Sequence, residues 1–227
     1  NPASKIFEYI MEGHSLLRKI ELGKIDDTFK SKPVAFAGGG ICAGIGTEIG
    51  LACHRRFFSG SKRSKIGLPE ILVGLFPGLG GTTRVARMMG LMGASSVLLE
   101  GKLFAGDKAK SIGLVDEVVA EDELIQKAKN WVLSASPQDL IKPWDQKGFK
   151  FPGGAPYHPS GFMSFVGASA LINGKTKGLY ASAKALLSSV YEGALVDFDS
   201  ALRIEARWFT KVLMTDTCTN MARTLFL

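Results

Sequence analysis

Two glutamates set among glycines are the residues here best suited to chemistry. Glu48 closes a run from Lys32-Pro33-Val34 through Gly38-Gly39-Gly40 to Gly44-Ile45-Gly46-Thr47. Glu70 opens a second run that passes Gly74-Leu75-Phe76-Pro77-Gly78-Leu79-Gly80-Gly81 to Thr82-Thr83-Arg84. A strand that enters a glycine turn and then a helix leaves backbone N–H groups unpaired at the helix start, where they can hold an oxyanion. Two carboxylates near such a hole can add or remove water, or move a proton, beside a carbonyl. Taken singly, each glutamate reads as an ordinary helix-start acid favoured by the dipole. The glycines alone are weak evidence. The glycine turn lacks Gly-Lys-Ser/Thr, which argues against a P-loop, and Gly38, Gly40 and Ala43 fit the dinucleotide fingerprint only loosely.

These residues need elements to position them. Ile6, Phe7, Ile10, Met11, Leu16, Leu17 and Ile20 recur at helical spacing and predict a helix over 4–21. Residues 23–32, with Asp26-Asp27, read as a loop. The apolar run 33–37 predicts a strand buried on both faces, 38–46 a turn, and 47–55 a helix packed through Ile49, Leu51 and Ala52. Extended pieces are expected at Phe57-Phe58 and 65–68. Helices are expected at 81–89, 94–100, 106–111 and 121–134, with a strand at 113–120. Strand–turn–helix repetition implies α/β layering. Prolines and glycines over 136–163 predict an ordered crossing segment. Helical patterning returns over 177–192. Asp197 and Asp199 are candidate caps for a helix with Ala201, Ile204, Trp208 and Val212 on one face. A last apolar helix is expected over 221–227.

At 227 residues and 46% hydrophobic, the chain holds enough apolar material for one sizeable domain or a domain with a helical appendage. Its apolar runs are short and interrupted, so neither a membrane span nor a secretory signal is expected. A net charge of +7 attracts phosphates. The tight basic cluster is confined to Lys62-Arg63-Ser64-Lys65, with no RNA-binding aromatic motif or zinc-finger spacing beside it. The charge therefore reads as an enzyme surface, and no nucleic-acid partner is expected. Cys42, Cys53 and Cys218 match no disulfide or metal framework, which points to a reducing compartment. His14, His54 and His158 lack metal-ligand spacing, and no metal site is expected.

In combination the motifs are far more specific. Lys32-Pro33-Val34, Gly40, Gly44-x-Gly46-x-Glu48, Leu51-Ala52-Cys53, Leu68-Pro69-Glu70 and the run from Gly74 to Arg84 fall in the order of the enoyl-CoA hydratase/isomerase (crotonase) superfamily, which the chain resembles. Leu103 with Ala105, Lys108-Ala109 and Gly113-Leu114-Val115-Asp116 extend the match. Pro143-Trp144-Asp145, Lys147-Gly148-Phe149-Lys150, Pro152-Gly153-Gly154, Tyr191-Glu192-Gly193 and Glu205-Ala206-Arg207 are similar to the hydratase half of the bacterial multifunctional fatty-acid oxidation proteins, which join that activity to a 3-hydroxyacyl-CoA dehydrogenase. Nearly the whole chain is covered, apart from about 23–31.

The resemblance implies an α/β crotonase-like (ClpP/crotonase) fold, N-terminally incomplete, with a C-terminal helical extension. The division it suggests is a core over 1–135, the crossing segment 136–163 and a helical part over 164–227. It implies reversible hydration of 2-enoyl-CoA to 3-hydroxyacyl-CoA in fatty-acid β-oxidation. Glu48 matches the glutamate that orients and activates water, Glu70 the one that exchanges a proton with the α-carbon, and the Ile45 N–H one oxyanion donor. Gly44, Gly46, Pro77, Gly78, Gly80 and Gly81 match the pocket and a helix start. Glycine usually stands in the family where this chain has Ile45, a β-branched residue that disfavours positive φ. The family's first strands, with the other oxyanion donor, have no counterpart in 1–31. No cofactor is implied for hydration, coenzyme A being part of the substrate, and NAD enters only with a dehydrogenase half elsewhere. The implied partners are acyl-CoA and either further copies of the chain or other chains of a β-oxidation complex. The implied location is the bacterial cytoplasm, or a mitochondrion or peroxisome in a eukaryote. The alternatives are enoyl-CoA isomerase activity, which Glu70 alone can perform, and a non-catalytic fragment acting in complex assembly.

Overall fold

A computed structural model describes residues 1–24 and 31–226, leaving aside the side chains of Lys175 and Phe226. Most of the loop expected over 23–32 lies outside the described residues. The chain opens with α1 (Pro2–Leu22). The Asn1 side chain accepts from the Ala3 N–H at 3.0 Å, Pro2 stands where its missing N–H is harmless, and Gly23 closes the helix at φ 63°.

Two small sheets follow. In the first, β1 (Ala35–Gly38), β3 (Arg55–Ser59) and β6 (Glu117–Val119) lie in the order β1-β3-β6, all parallel, with Phe36 opposite Arg56 and Phe58 opposite Val118. In the second, β2 (Ile41–Ala43) runs parallel to β4 (Lys65–Gly67), which pairs antiparallel with β5 (Leu103–Ala105). Between β2 and β3 in sequence runs α2 (Ile45–Ala52), which lies in the crossovers from β1 to β3 and from β2 to β4 that parallel pairing requires. A 3-10 turn at Glu70–Val73 leads to α3 (Gly81–Leu98), broken at Gly90 with φ 70° and ψ 173°. Next come α4 (Gly106–Ser111) and α5 (Leu124–Ser134), then four C-terminal helices, α6 (Pro159–Thr176), α7 (Ala181–Gly193), α8 (Phe198–Leu213) and α9 (Asp216–Phe226).

One apolar core joins these layers. Leu51, Phe58, Ile66, Leu68, Phe76, Val85, Leu98 and Leu114 meet Ala185, Leu186 and Val212 within it. Helices α7 and α8 therefore complete the core that the strands begin. Three cations fix the joints. Arg84 is 0% exposed and forks onto Glu21 of α1, Nε to Oε1 at 3.0 Å and Nη2 to Oε2 at 3.1 Å. Arg18 binds the same Glu21 and reaches Asp145 and Asp199, tying α1 to the crossing segment and to α8. Lys142 sends its Nζ to the carbonyls of Leu51 and Cys53 at the end of α2. Its burial lowers its proton affinity to about 8.

The structure departs from the sequence expectations in five places. The turn expected over 38–46 contains β2, and β5 was not expected at all. The patterns at 81–89 and 94–100 are one helical stretch, interrupted where only glycine accepts the backbone. Proline-rich 136–163 does not stay extended to its end, because Pro159 takes the first position of α6 rather than breaking a helix. On α1 the fully buried residues are His14, Leu17 and Glu21, whereas Leu16 is 61% exposed.

Candidate active site

The site forms where α2 and α3 begin. Gly44 turns the chain into α2 at φ 59° and ψ −124°, a conformation closed to L side chains. Ile45 can therefore be the first helical residue with negative φ, since among the described non-glycine residues only Lys177 has positive φ. The strain expected from a β-branched residue falls on Gly44 instead. The Ile45 N–H, too early in α2 for an intrahelical bond, has no protein acceptor among the described residues. Ile45 as a whole is 58% exposed. Gly46, one residue on, would present an added Cβ to open space.

Glu48, in the first turn of α2, is buried and crosses to the start of α3. One of its oxygens, Oε1, accepts from the N–H groups of Leu79 and Gly81, both at 2.8 Å. Burial pushes its proton affinity up to about 8, helped by the charges of Glu205 and Glu70 and opposed by those two amide bonds. Glu70 heads the 3-10 turn. Its Oε1 lies near Gly44, where an added Cβ would stand 3.1 Å away, and its buried Oε2 has no protein partner. Burial raises it to about 7, its own backbone N–H opposing and Glu205 adding to the rise. Burial thus acts on both glutamates.

The loop between them is tightly packed. The Pro77 carbonyl accepts from the Thr82 hydroxyl at 2.9 Å. The Gly78 carbonyl meets His14 Nε2 at 2.8 Å, and an added Cβ at Gly78 would strike Phe209 at 2.3 Å. Gly80 has φ 92° and Gly81 faces Glu48, with room for a Cβ at neither. Glu48, Glu70, Gly44, Ile45, Pro77, Gly78, Gly80 and Gly81 are thus brought to one place, with Gly46 at its edge.

Two buried groups at the site were absent from the sequence candidates. Glu205 of α8 accepts from the Gly80 N–H at 2.6 Å and from the Thr83 N–H and hydroxyl at 2.7 Å each. His14 of α1 stands 3.6 Å from Glu205. Both carried a readable signal. Glu205 falls on the α8 face of Ala201, Trp208 and Val212, and His14 falls between Ile10 and Leu17 on that of α1. A polar residue on an apolar helix face needs a buried partner.

The chain is similar to several known proteins. Residues 27–140 match the family model described as "Enoyl-CoA hydratase/isomerase". The chain is 32% identical over 209 residues to the fatty acid oxidation complex subunit alpha of Shewanella loihica, covering 92% of this chain and 28% of that protein. It is 31% identical over 218 residues to the glyoxysomal fatty acid beta-oxidation multifunctional protein MFP-a of Cucumis sativus, with the same two coverages. The chain thus spans little more than a quarter of these curated relatives. A crystal structure of an enoyl-CoA hydratase from Mycobacterium avium subsp. paratuberculosis superposes with a TM-score of 0.60 at 22% identity, covering 97% of this chain and 72% of the other. That likeness shows a shared fold.

Proposed function

The chain belongs to the enoyl-CoA hydratase/isomerase family, and on that premise we propose that it carries a site for the reversible hydration of 2-enoyl-CoA in fatty-acid β-oxidation. The observation that carries this is the pairing of two buried glutamates, raised to about 8 and about 7, at adjoining helix starts that include the unpartnered Ile45 N–H. Near neutrality such a pair carries one proton to give and one base to receive. Those are the two functions that adding water across a conjugated double bond requires.

The thioester oxygen accepts from the Ile45 N–H, which draws electrons from the β-carbon. Water bound between the carboxylates attacks that carbon as one glutamate takes its proton. The enolate is held by the amide, and the other glutamate delivers a proton to the α-carbon. Glu48 is assigned to the water and Glu70 to the α-carbon, Glu70 Oε2 being the oxygen with no protein partner. Loss of an oxyanion donor costs roughly a hundred- to a thousandfold in rate. The second donor is not assigned to a described residue.

The sizes of the relatives support a place within a larger protein, with dehydrogenase chemistry using NAD in another part. Copies of the chain or other subunits are its proposed partners. A bacterial cytoplasm, or a mitochondrion or peroxisome, is the proposed location, supported by three unpaired cysteines. Among the described residues no helix is long and apolar enough to cross a membrane.

The test is loss of the conjugated-enoyl absorbance of a short 2-enoyl-CoA, with Glu48→Gln and Glu70→Gln beside the parent chain. Turnover abolished in both variants is the expected result. Double-bond migration surviving Glu48→Gln but not Glu70→Gln would replace hydration by isomerisation. No turnover by the parent chain would leave it a non-catalytic partner in assembly.

A further inference from the structure

Four amides open the α3 helix, and two carboxylates from distant parts of the chain divide them. Glu48 takes Leu79 and Gly81; Glu205 takes Gly80 and Thr83. They alternate along the turn, so neither acid can shift without displacing an amide that the other holds. We propose that Glu205 of α8 is a positioning residue for Glu48: by occupying alternate amides of the 79–83 turn it aims the Glu48 carboxylate and keeps its charge against it.

Several observations support this. Glu205 is 0% exposed, and its three bonds to the turn use both its oxygens, so it has no freedom to approach a substrate. The turn is locked from its other side by His14 on the Gly78 carbonyl. A helix start carries roughly half a positive charge, which two anions here must share. Each then gains less than it would alone, and the charge of Glu205 adds to the burial that holds a proton on Glu48 and on Glu70. Of the described side chains around Glu205, Arg87 feels its charge but is not hydrogen-bonded to it. His14 faces it from α1 at 3.6 Å, with Nε2 already on Gly78. On α3, Arg84 is committed to Glu21, and Arg87 to the carbonyls of Gly193 and Val196. On α7, Glu192 is paired with Arg207 and Trp208. Among the described residues, no charged side chain of α7 or α9 bonds to Glu205.

The role assigned to Glu205 rests on the hydratase reading for its purpose but not for its test. The chain is labelled with 13C at the glutamate carboxyl carbons, and the Glu48 resonance, assigned by its loss in Glu48→Gln, is followed against pH. In Glu205→Gln the Glu48 midpoint should fall by about one pH unit. In Glu205→Asp, which keeps the charge but is too short for all three bonds, the midpoint should stay within a few tenths while hydration slows at least tenfold. An unchanged midpoint in a folded Glu205→Gln overturns the inference. Should that variant not fold, the parent chain still decides. The amide resonances of Leu79 and Gly81 should follow the Glu48 transition while those of Gly80 and Thr83 do not, and one transition common to all four overturns it. The pH titrations need no substrate. A shifted midpoint in a chain that hydrates no enoyl-CoA would remove the hydratase reading and leave the positioning role standing.

Discussion

At the scale of single residues, burial sets the working pH. Midpoints of about 7 for Glu70 and about 8 for Glu48 leave the pair singly protonated between them, the proton mostly on Glu48, and hydration runs through the minor form with Glu48 ionised and Glu70 protonated. The rate of enoyl-CoA hydration should therefore be bell-shaped, highest between about pH 7 and 8 and falling on both sides. A profile flat from pH 5 to 9 would show that neither carboxyl moves a proton. The same shifts act on stability. An acid whose folded-state affinity lies above its unfolded value of 4.5 favours folding below that value and loses the contribution as pH rises through its folded midpoint. Stability should decline from about pH 5 to 8. Glu48→Gln should flatten that decline and raise the melting temperature at pH 9, as scanning calorimetry can check.

At the scale of elements, the start of α3 is the most sensitive joint. An added Cβ at Gly81 would stand 2.7 Å from Glu48 Oε1 and 2.9 Å from Pro77 Cβ, so Gly81→Ala must displace the carboxylate. Misplacing a reacting group by even a part of an ångström costs on the order of ten- to a hundredfold in kcat, with KM for the thioester much less affected. Steady-state kinetics on a short enoyl-CoA separates the two constants. The joint between α1 and α3 is a matter of stability. Arg84 and Glu21 are both 0% exposed, so Arg84→Met leaves a buried carboxylate with Arg18 alone and should cost about 3 kcal/mol in urea unfolding. The exposed Lys102–Glu100 pair is the control, and Lys102→Met should change stability by less than about 1 kcal/mol.

At the scale of the whole molecule, the C-terminal helices act as part of the site. They supply Ala185, Leu186 and Val212 to the main core, Phe209 to the wall of Gly78, and Glu205 to the turn. The segments 1–135, 136–163 and 164–227 should accordingly unfold together. Trp131 lies in α5, Trp144 in the crossing segment and Trp208 in α8, one reporter in each. Variants keeping one tryptophan at a time should give coincident urea midpoints matching the loss of helix by circular dichroism. An earlier transition at Trp208 would make the helical extension a separate unit.

Much of this was legible before any coordinates. The helix over 4–21, the short strands at 33–37 and 57–58, the turn at Gly44 and the helix after it are dictated by local periodicity and by glycine's freedom at positive φ, which depend on neighbours along the chain. The frame Gly44-x-Gly46-x-Glu48 with Pro69-Glu70 and the run to Arg84 determined the family and singled out the two acids as candidates. What the chain could not reveal locally is which residues meet from afar. Pro159 opens a helix because the segment it starts packs against α7, through Phe165 and Val190. Glu205 stands 157 positions after Glu48 in sequence yet shares its helix start, and His14 reaches Gly78 across 64 positions. Only the tertiary structure decided that a carboxylate on the buried face of α8 is satisfied by amides of α3. A buried polar group's partner is fixed by packing rather than by sequence distance, and so is the proton affinity that burial confers.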